Sequence, residues 1–157
     1  MKKFYEFDPF EMFGIEKPKS KDDRNIALDV AATALKEFML DSISKGQSPV
    51  SGGSWKRTLS KKYAEQKKEI SGVAFANLEL YGDMLDDMVV EARGDKIVVG
   101  FESTEQAQKA DGHNHSGIFG DSSLPKREFI PKEGGKFKRD ILSELKSIIE
   151  ENLPQEE

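Results

Sequence analysis

Both histidines of this chain, His113 and His115, sit two residues apart in a glycine-punctuated stretch with Asp111 and Asp121 nearby. Imidazole and carboxylate are donors for zinc and other transition ions. Alternate residues of an extended segment project to the same side, so the spacing allows one shared ligand. The donor set is thin, however. There is no third histidine, and zero cysteines exclude thiolate catalysis, cysteine-ligated zinc and disulfides. His113-Asn114-His115 is not a nuclease site, because the residues that give that motif its name lie far apart in sequence. No Gly-x-Ser-x-Gly elbow occurs, and Gly52-Gly53 and Gly134-Gly135 have neither Walker nor dinucleotide spacing. Asp86 and Asp87, read as neighbours on a strand, would point to opposite faces and could not share a proton. The expectation is a protein without an active site, resident metal or cofactor; a small metal-dependent enzyme using His113 and His115 is the alternative.

The histidine stretch leads into Leu124-Pro125-Lys126-Arg127-Glu128-Phe129-Ile130-Pro131. Two prolines bar a helix interior, so this segment reads as extended chain ahead of the last helix. Irregular chain of this kind in a small domain commonly makes contacts. The only tryptophan, Trp55, follows a loop rich in Ser, Gly and Pro. It is expected to anchor a short basic helix (58–68) on the core, with an interface role as the alternative.

The 157 residues suit one domain with short flanking segments. Hydrophobic residues make up 36% and charged residues 34%, so the core is modest and part of the chain lies outside it. No apolar run approaches 18 residues, so no transmembrane helix is expected. The opening Met1-Lys2-Lys3-Phe4-Tyr5-Glu6-Phe7-Asp8 carries acids where a signal peptide needs its apolar centre, which predicts synthesis and retention in a cytoplasm. A formal net charge of -5 argues against a broad nucleic-acid surface. The charge is unevenly placed: residues 54–69 hold six Lys/Arg against Glu65 and Glu69, and residues 79–95 hold six acids against Arg93. These blocks read as two solvated faces, or as surfaces that pair between copies. The basic 54–69 segment also defines a further alternative, a nucleic-acid-binding module.

Several elements must position these residues. Residues 1–21 scatter aromatics among charges without a sustained period. They read as an arm docking on its own domain or on a neighbour, with Pro18-Lys19-Ser20-Lys21 as linker. A helix over 24–44, capped by Asp22-Asp23, carries the stripe Leu28, Ala31, Leu35, Phe38 and Met39 and stops at Gly46. Residues 70–81 are ambiguous. Strands over 84–92 and 96–101 form a hairpin around Arg93-Gly94-Asp95, where the turn explains the tripeptide better than its match to an integrin-binding motif. Ser103 and Thr104 cap a short helix to Ala110. A final helix over 136–152 presents Phe137, Ile141, Leu145 and Ile148. The whole predicts an α+β fold: a small antiparallel sheet built on a β-hairpin, packed by a long N-terminal helix and a C-terminal helix. The domain spans 22–152, with a polar end at 153–157.

The order of these features carries a resemblance. Trp55-x-x-x-Leu59 with Lys61-Lys62-Tyr63 and Lys67-Lys68 comes first. Asn77-Leu78-Glu79-Leu80-Tyr81-Gly82-Asp83-Met84-Leu85-Asp86-Asp87-Met88 follows, then the hairpin, the His113-Asn114-His115-Ser116-Gly117 loop, and Leu124-Pro125-Lys126-Arg127-Glu128-Phe129-Ile130. Over about 54–150 the chain resembles the tail-completion, or virion-morphogenesis, proteins of tailed bacteriophages. The histidine loop is one residue longer than the family pattern, and Asp86-Asp87 replaces a small polar residue. The resemblance implies a non-enzymatic structural virion protein, made in the host cytoplasm. It would form a homo-oligomeric ring at the head–tail junction as tail terminator or neck adaptor. Its partners would be the head connector and tail-tube proteins, with DNA passing through the lumen unbound. Within that reading His113 or His115 shapes its loop by backbone hydrogen bonds, and Arg127 offers an inter-subunit or loop-locking ion pair. Phe129 is expected in the core, with an interface role as the alternative.

Overall fold

In the computed structural model, residues 1–50, 82–111 and 128–154 are described. The long helix, α2 (Lys21–Ser44), is capped by Ser20 rather than by the expected aspartates. Ser20 Oγ accepts the Asp23 N–H at 3.4 Å, while Asp22 and Asp23 lie in the first turn, where the helix dipole favours negative charge. The helix stops as expected. Gly46 adopts φ +71°, and the N–H groups of Gly46 and Gln47 return to the carbonyls of Ile43 and Ser42, each at 2.9 Å. This is the Schellman arrangement, and it needs a left-handed residue at Gly46. Ala27, Leu28, Ala31, Ala32, Leu35, Met39 and Ile43 form the buried face. Phe38, placed on that stripe from the sequence, is only half-buried.

Among the described residues the sheet has three antiparallel strands in the order β1-β3-β2: β1 (Lys2–Phe7), β2 (Met88–Arg93) and β3 (Lys96–Phe101). Arg93 pairs with Lys96, so Gly94 and Asp95 alone make the hairpin turn. Gly94 has φ +60° with open space around its Cβ direction; backbone angle, not crowding, calls for glycine. The expected strand at 84–92 begins later than predicted. Met84 and Leu85 belong to a short helix, α3 (Gly82–Asp86), and the strand starts at Met88. Short apolar runs suit either period, and burial of Met84 and Leu85 decided this one.

Of the two dockings expected for the N-terminal residues, on their own domain or on a neighbour, the first is seen, and they join the sheet itself. Residues 2–7 are a strand of the domain's own sheet, followed by helix α1 (Pro9–Phe13). Lys3 pairs with Gly100 and Tyr5 with Val99, which leaves Phe4 as an extra, bulged residue. The bulge breaks alternation, so Phe4, Tyr5 and Phe7 all pack on the core. Phe4 meets Phe101 edge-on at 5.3 Å; Tyr5 lies 5.7 Å from Phe7 and 5.8 Å from Phe137. α1 is closed at both ends: Asp8 Oδ1 accepts the N–H groups of Phe10 and Glu11, Pro9 opens the helix, and Gly14 at φ +66° ends it.

Toward the C-terminus, helix α4 (Thr104–Asp111) packs on α3 and β3, and helix α5 (Arg139–Glu151) packs on α2. Ile141, Leu145 and Ile149 form the fully buried stripe of α5. Ile148, expected on that stripe, is half-buried, and Leu153 beyond the helix also packs on the core. The architecture is therefore α+β, with a long N-terminal and a C-terminal helix on a three-stranded antiparallel sheet.

The β1–β3 contact generates a test. A Cβ on Gly100 would lie 2.2 Å from the Lys2 carbonyl oxygen and 3.1 Å from Lys3 Cα, so the strands would have to part. Gly100→Ala is expected to destabilise the protein by about 1–3 kcal/mol, the usual cost of overpacking. Urea unfolding measures it; an unchanged midpoint would mean that β1 does not approach β3 this closely.

Candidate assembly interface

Four of the five residues singled out from the sequence, Trp55, His113, His115 and Arg127, lie outside the described residues, as does the basic 54–69 segment. The fifth, Phe129, is fully buried, with its ring edge-on to Phe101 at 6.4 Å. Among the described residues no group of three or more His, Asp or Glu could hold a metal ion.

The structure does show how both segments carrying those residues are anchored. Leaving α2, the chain passes through buried Ser48. The Ser48 hydroxyl donates to the Glu128 carbonyl at 2.6 Å and accepts the Val50 N–H at 3.1 Å. The Lys138 N–H donates to the Pro49 carbonyl at 2.9 Å. Val50, before segment 51–81, therefore lies beside Glu128, which follows segment 112–127. At their other ends, α3 begins directly after residue 81 and α4 ends at Asp111, and these two helices pack together. Tertiary contacts thus bring the chain entering the tryptophan segment beside the chain leaving the histidine segment.

Asp87 secures the second anchor. It does not stand beside Asp86 on a strand, as the sequence suggested; Asp86 ends α3, and Asp87 precedes β2. Asp87 Oδ2 accepts the Ser103 N–H at 2.9 Å and the Ser103 hydroxyl at 3.2 Å, and the Asp87 carbonyl accepts the Glu102 N–H at 3.2 Å. Ser103 Oγ in turn accepts the Gln106 N–H at 3.3 Å, the expected cap of α4. One carboxylate so ties the start of β2 to the helix that leads toward the histidines. Its role here is positional.

The hairpin turn is held by a second polar seam. Arg24 Nε meets Asp95 Oδ1 at 3.1 Å, and its Nη1 donates to the carbonyls of Pro18 and Lys19. Lys17 Nζ sits 2.6 Å from Asp8 and 3.8 Å from Asp95. The Asp8 bond is the leading influence that raises the Lys17 pKa. Lys17-Pro18-Lys19-Ser20, which overlaps the stretch read as a linker, is therefore fastened between α1, α2 and the turn. Asp95 is engaged by its own chain, which accounts for the tripeptide structurally. On the outer sheet face Glu6 pairs with Lys3 at 3.3 Å and Lys96 at 3.6 Å. The Lys3 hydrogen bond leads in holding the Glu6 carboxyl below its ordinary value.

One concave surface stands out among the described residues. α1 and α5 enclose an open groove of about 410 Å³. Met12, Phe13, Phe137 and Leu142 supply its apolar lining, and Lys136, Arg139 and Lys146 its charge. Among the described residues the lining contains no carboxylate, so it suits a surface that is apolar and acidic. The sequence reading passed over this groove. Its signal was the recurrence of Arg139, Leu142, Ser143 and Lys146 on one side of a helix, together with an α1 announced by Asp8-Pro9 and Gly14.

Tyr5 links β1 to the segment that follows Phe129, because its hydroxyl donates to the Gly135 carbonyl at 2.6 Å. Burial raises the phenol pKa above the ordinary 10.0. The folded state therefore favours the protonated phenol; this contribution is complete below pH 10.0 and is lost as pH rises through the folded-state pKa. Tyr5→Phe is expected to cost about 1 kcal/mol at neutral pH through the lost hydrogen bond and to flatten the alkaline decline in stability. Urea unfolding across the alkaline range checks both, and an unchanged alkaline slope would contradict the assignment. Compared with known proteins, the chain matches no family model, no curated protein and no solved structure.

Proposed function

We propose that this protein is a structural component of a tailed-bacteriophage virion. It completes the tail and joins it to the head as part of a homo-oligomeric ring, as tail terminator or neck adaptor. The observation that carries this reading is the ordered series from Trp55-x-x-x-Leu59 through the hairpin and His113-Asn114-His115 to Leu124-Pro125-Lys126-Arg127-Glu128-Phe129-Ile130. The physical character of the chain supports it. β1 and β2 each have one edge without a strand partner among the described residues, where sheet pairing can continue into a neighbour. A net charge of -5 suits a lumen through which DNA passes, because phosphate binding depends on Lys and Arg. In this role Trp55, His113, His115 and Arg127 serve contacts between chains or the loops that make them, and no reaction is required. Partners are further copies of the chain, the head connector and the tail-tube proteins.

Electron microscopy of lysates from the producing phage with this gene blocked tests the proposal. Filled heads beside separate tails are expected, with overlong tails marking a terminator and tails of normal length a neck adaptor. Normal infectious particles would overturn the reading.

A further inference from the structure

The groove between α1 and α5 has a counterpart on the same chain. Ile26 and Val30, the most exposed large apolar side chains of α2, are 54% and 40% exposed. Beside them Asp29, Val30, Thr33, Ala34 and Glu37 line an open depression of about 390 Å³. Positions 26, 30, 33 and 37 follow helical spacing, so this is one stripe of α2, opposite its buried face. Among the described residues its lining carries two carboxylates and no cation, and the groove lining carries three cations and no carboxylate. Many charges in the domain are ion-paired, including Asp8, Lys17, Arg24, Asp95, Glu91 and Arg93. By contrast, Asp29, Glu37, Lys136, Arg139 and Lys146 make no ion pair among the described residues.

One copy cannot bring the two surfaces together. α5 meets α2 beside Asp140, Ile141 and Glu144, which border a cleft with Phe38, Asp41 and Ser42. At 3.6 residues per turn, Arg139, Leu142, Ser143 and Lys146 fall on the opposite side of α5. The groove therefore faces away from α2, and the α2 stripe faces away from the core. Surfaces that match in character but point in different directions make a head-to-tail contact, which closes into a ring when the rotation between copies permits.

We infer that the outer stripe of α2 in one copy seats in the α1–α5 groove of the next. Ile26 and Val30 cover Met12, Phe13 and Leu142, and Asp29 and Glu37 face Lys136, Arg139 and Lys146. This rests on the ring reading above and names the contact that builds the ring.

A charge-swap experiment on the full chain tests it. One variant carries Asp29→Lys and Glu37→Lys, the other Arg139→Glu and Lys146→Glu; all four positions are exposed, and circular dichroism checks that both variants fold. Sedimentation velocity is expected to show an oligomeric parent, weakened by added salt. Each variant alone should self-associate at least about tenfold more weakly, since like charges then face each other. An equal mixture should regain the oligomer, because each reversed surface meets a reversed partner. Persistence of the oligomer in either variant, or failure of the mixture to restore it, overturns this contact but not the virion role. A parent that is monomeric at every concentration also overturns it. The gene-blocked phage reports on the virion role separately: a tail defect there alongside a failed swap leaves the function standing with a different interface.

Discussion

Ile97, Val98, Val99, Gly100 and Phe101 of β3 are all buried, and a strand buried along its length must have its backbone hydrogen bonds satisfied on both edges. Much of the architecture answers that demand. The hairpin supplies β2 on one edge from the adjacent sequence. The other edge is covered by β1, some ninety residues away along the chain. The inner face, with Ile97, Val99 and Phe101, is then closed by α2 and by the aromatic group of Phe4, Tyr5, Phe7, Phe129 and Phe137. Burying aromatic side chains of this size makes a large contribution to a small core, which is why the N-terminal residues are part of the domain and not an appendage.

A few polar bonds convert that core into a frame for the remaining segments. Ser48 and Glu128 meet at one side; α3, α4, Asp87 and Ser103 meet at the other. Each bond links residues distant in sequence and satisfies part-buried backbone groups. The frame sets the chain before the tryptophan segment beside the chain after the histidine segment, although the sequence separates those segments by the whole hairpin. Chain that makes contacts gains precision when its ends are held by rigid elements.

The surface shows a complementary division. Charges near the hairpin turn are consumed within the chain, Asp95 by Arg24 and Lys17 above all. The charges of the α2 stripe and of the α1–α5 groove are left for other contacts. Local ion pairs of the first kind help set geometry and add little stability when exposed. Unpaired charge around an apolar patch favours a partner of opposite character and disfavours others. The opposition of acidic and basic blocks noted along the chain thus reappears in space, carried by different residues from those that sequence blocks suggested.

How much was legible depended on the range over which each signal acts. The α+β class, α2 with its stop at Gly46, the turn at Gly94 and the existence of α5 follow from periodicity and local backbone chemistry, which operate within a few residues. The cap and closing glycine of α1, Asp8-Pro9 and Gly14, were equally local and went unread because the bulge at Phe4 hid the strand before them. Other outcomes belonged to tertiary structure. Phe4, Tyr5 and Phe7 form a core strand because β3 offers an open edge; Met84 and Leu85 turn into a helix because that buries them; Ile149 displaces Ile148 from the buried stripe because α5 rotates toward the core. Gly100 must lack a side chain because a strand from the other end of the chain passes over it. The groove's chemistry was also written in the sequence, residue by residue, but only the tertiary structure, which sets α1 and α5 along one groove, made it a surface. The amino-acid order by itself determined the elements and the ordered motifs that suggest a role. Long-range packing decided which of those elements share an edge, a seam or a face, since contacts between distant residues leave no periodic mark in either stretch alone.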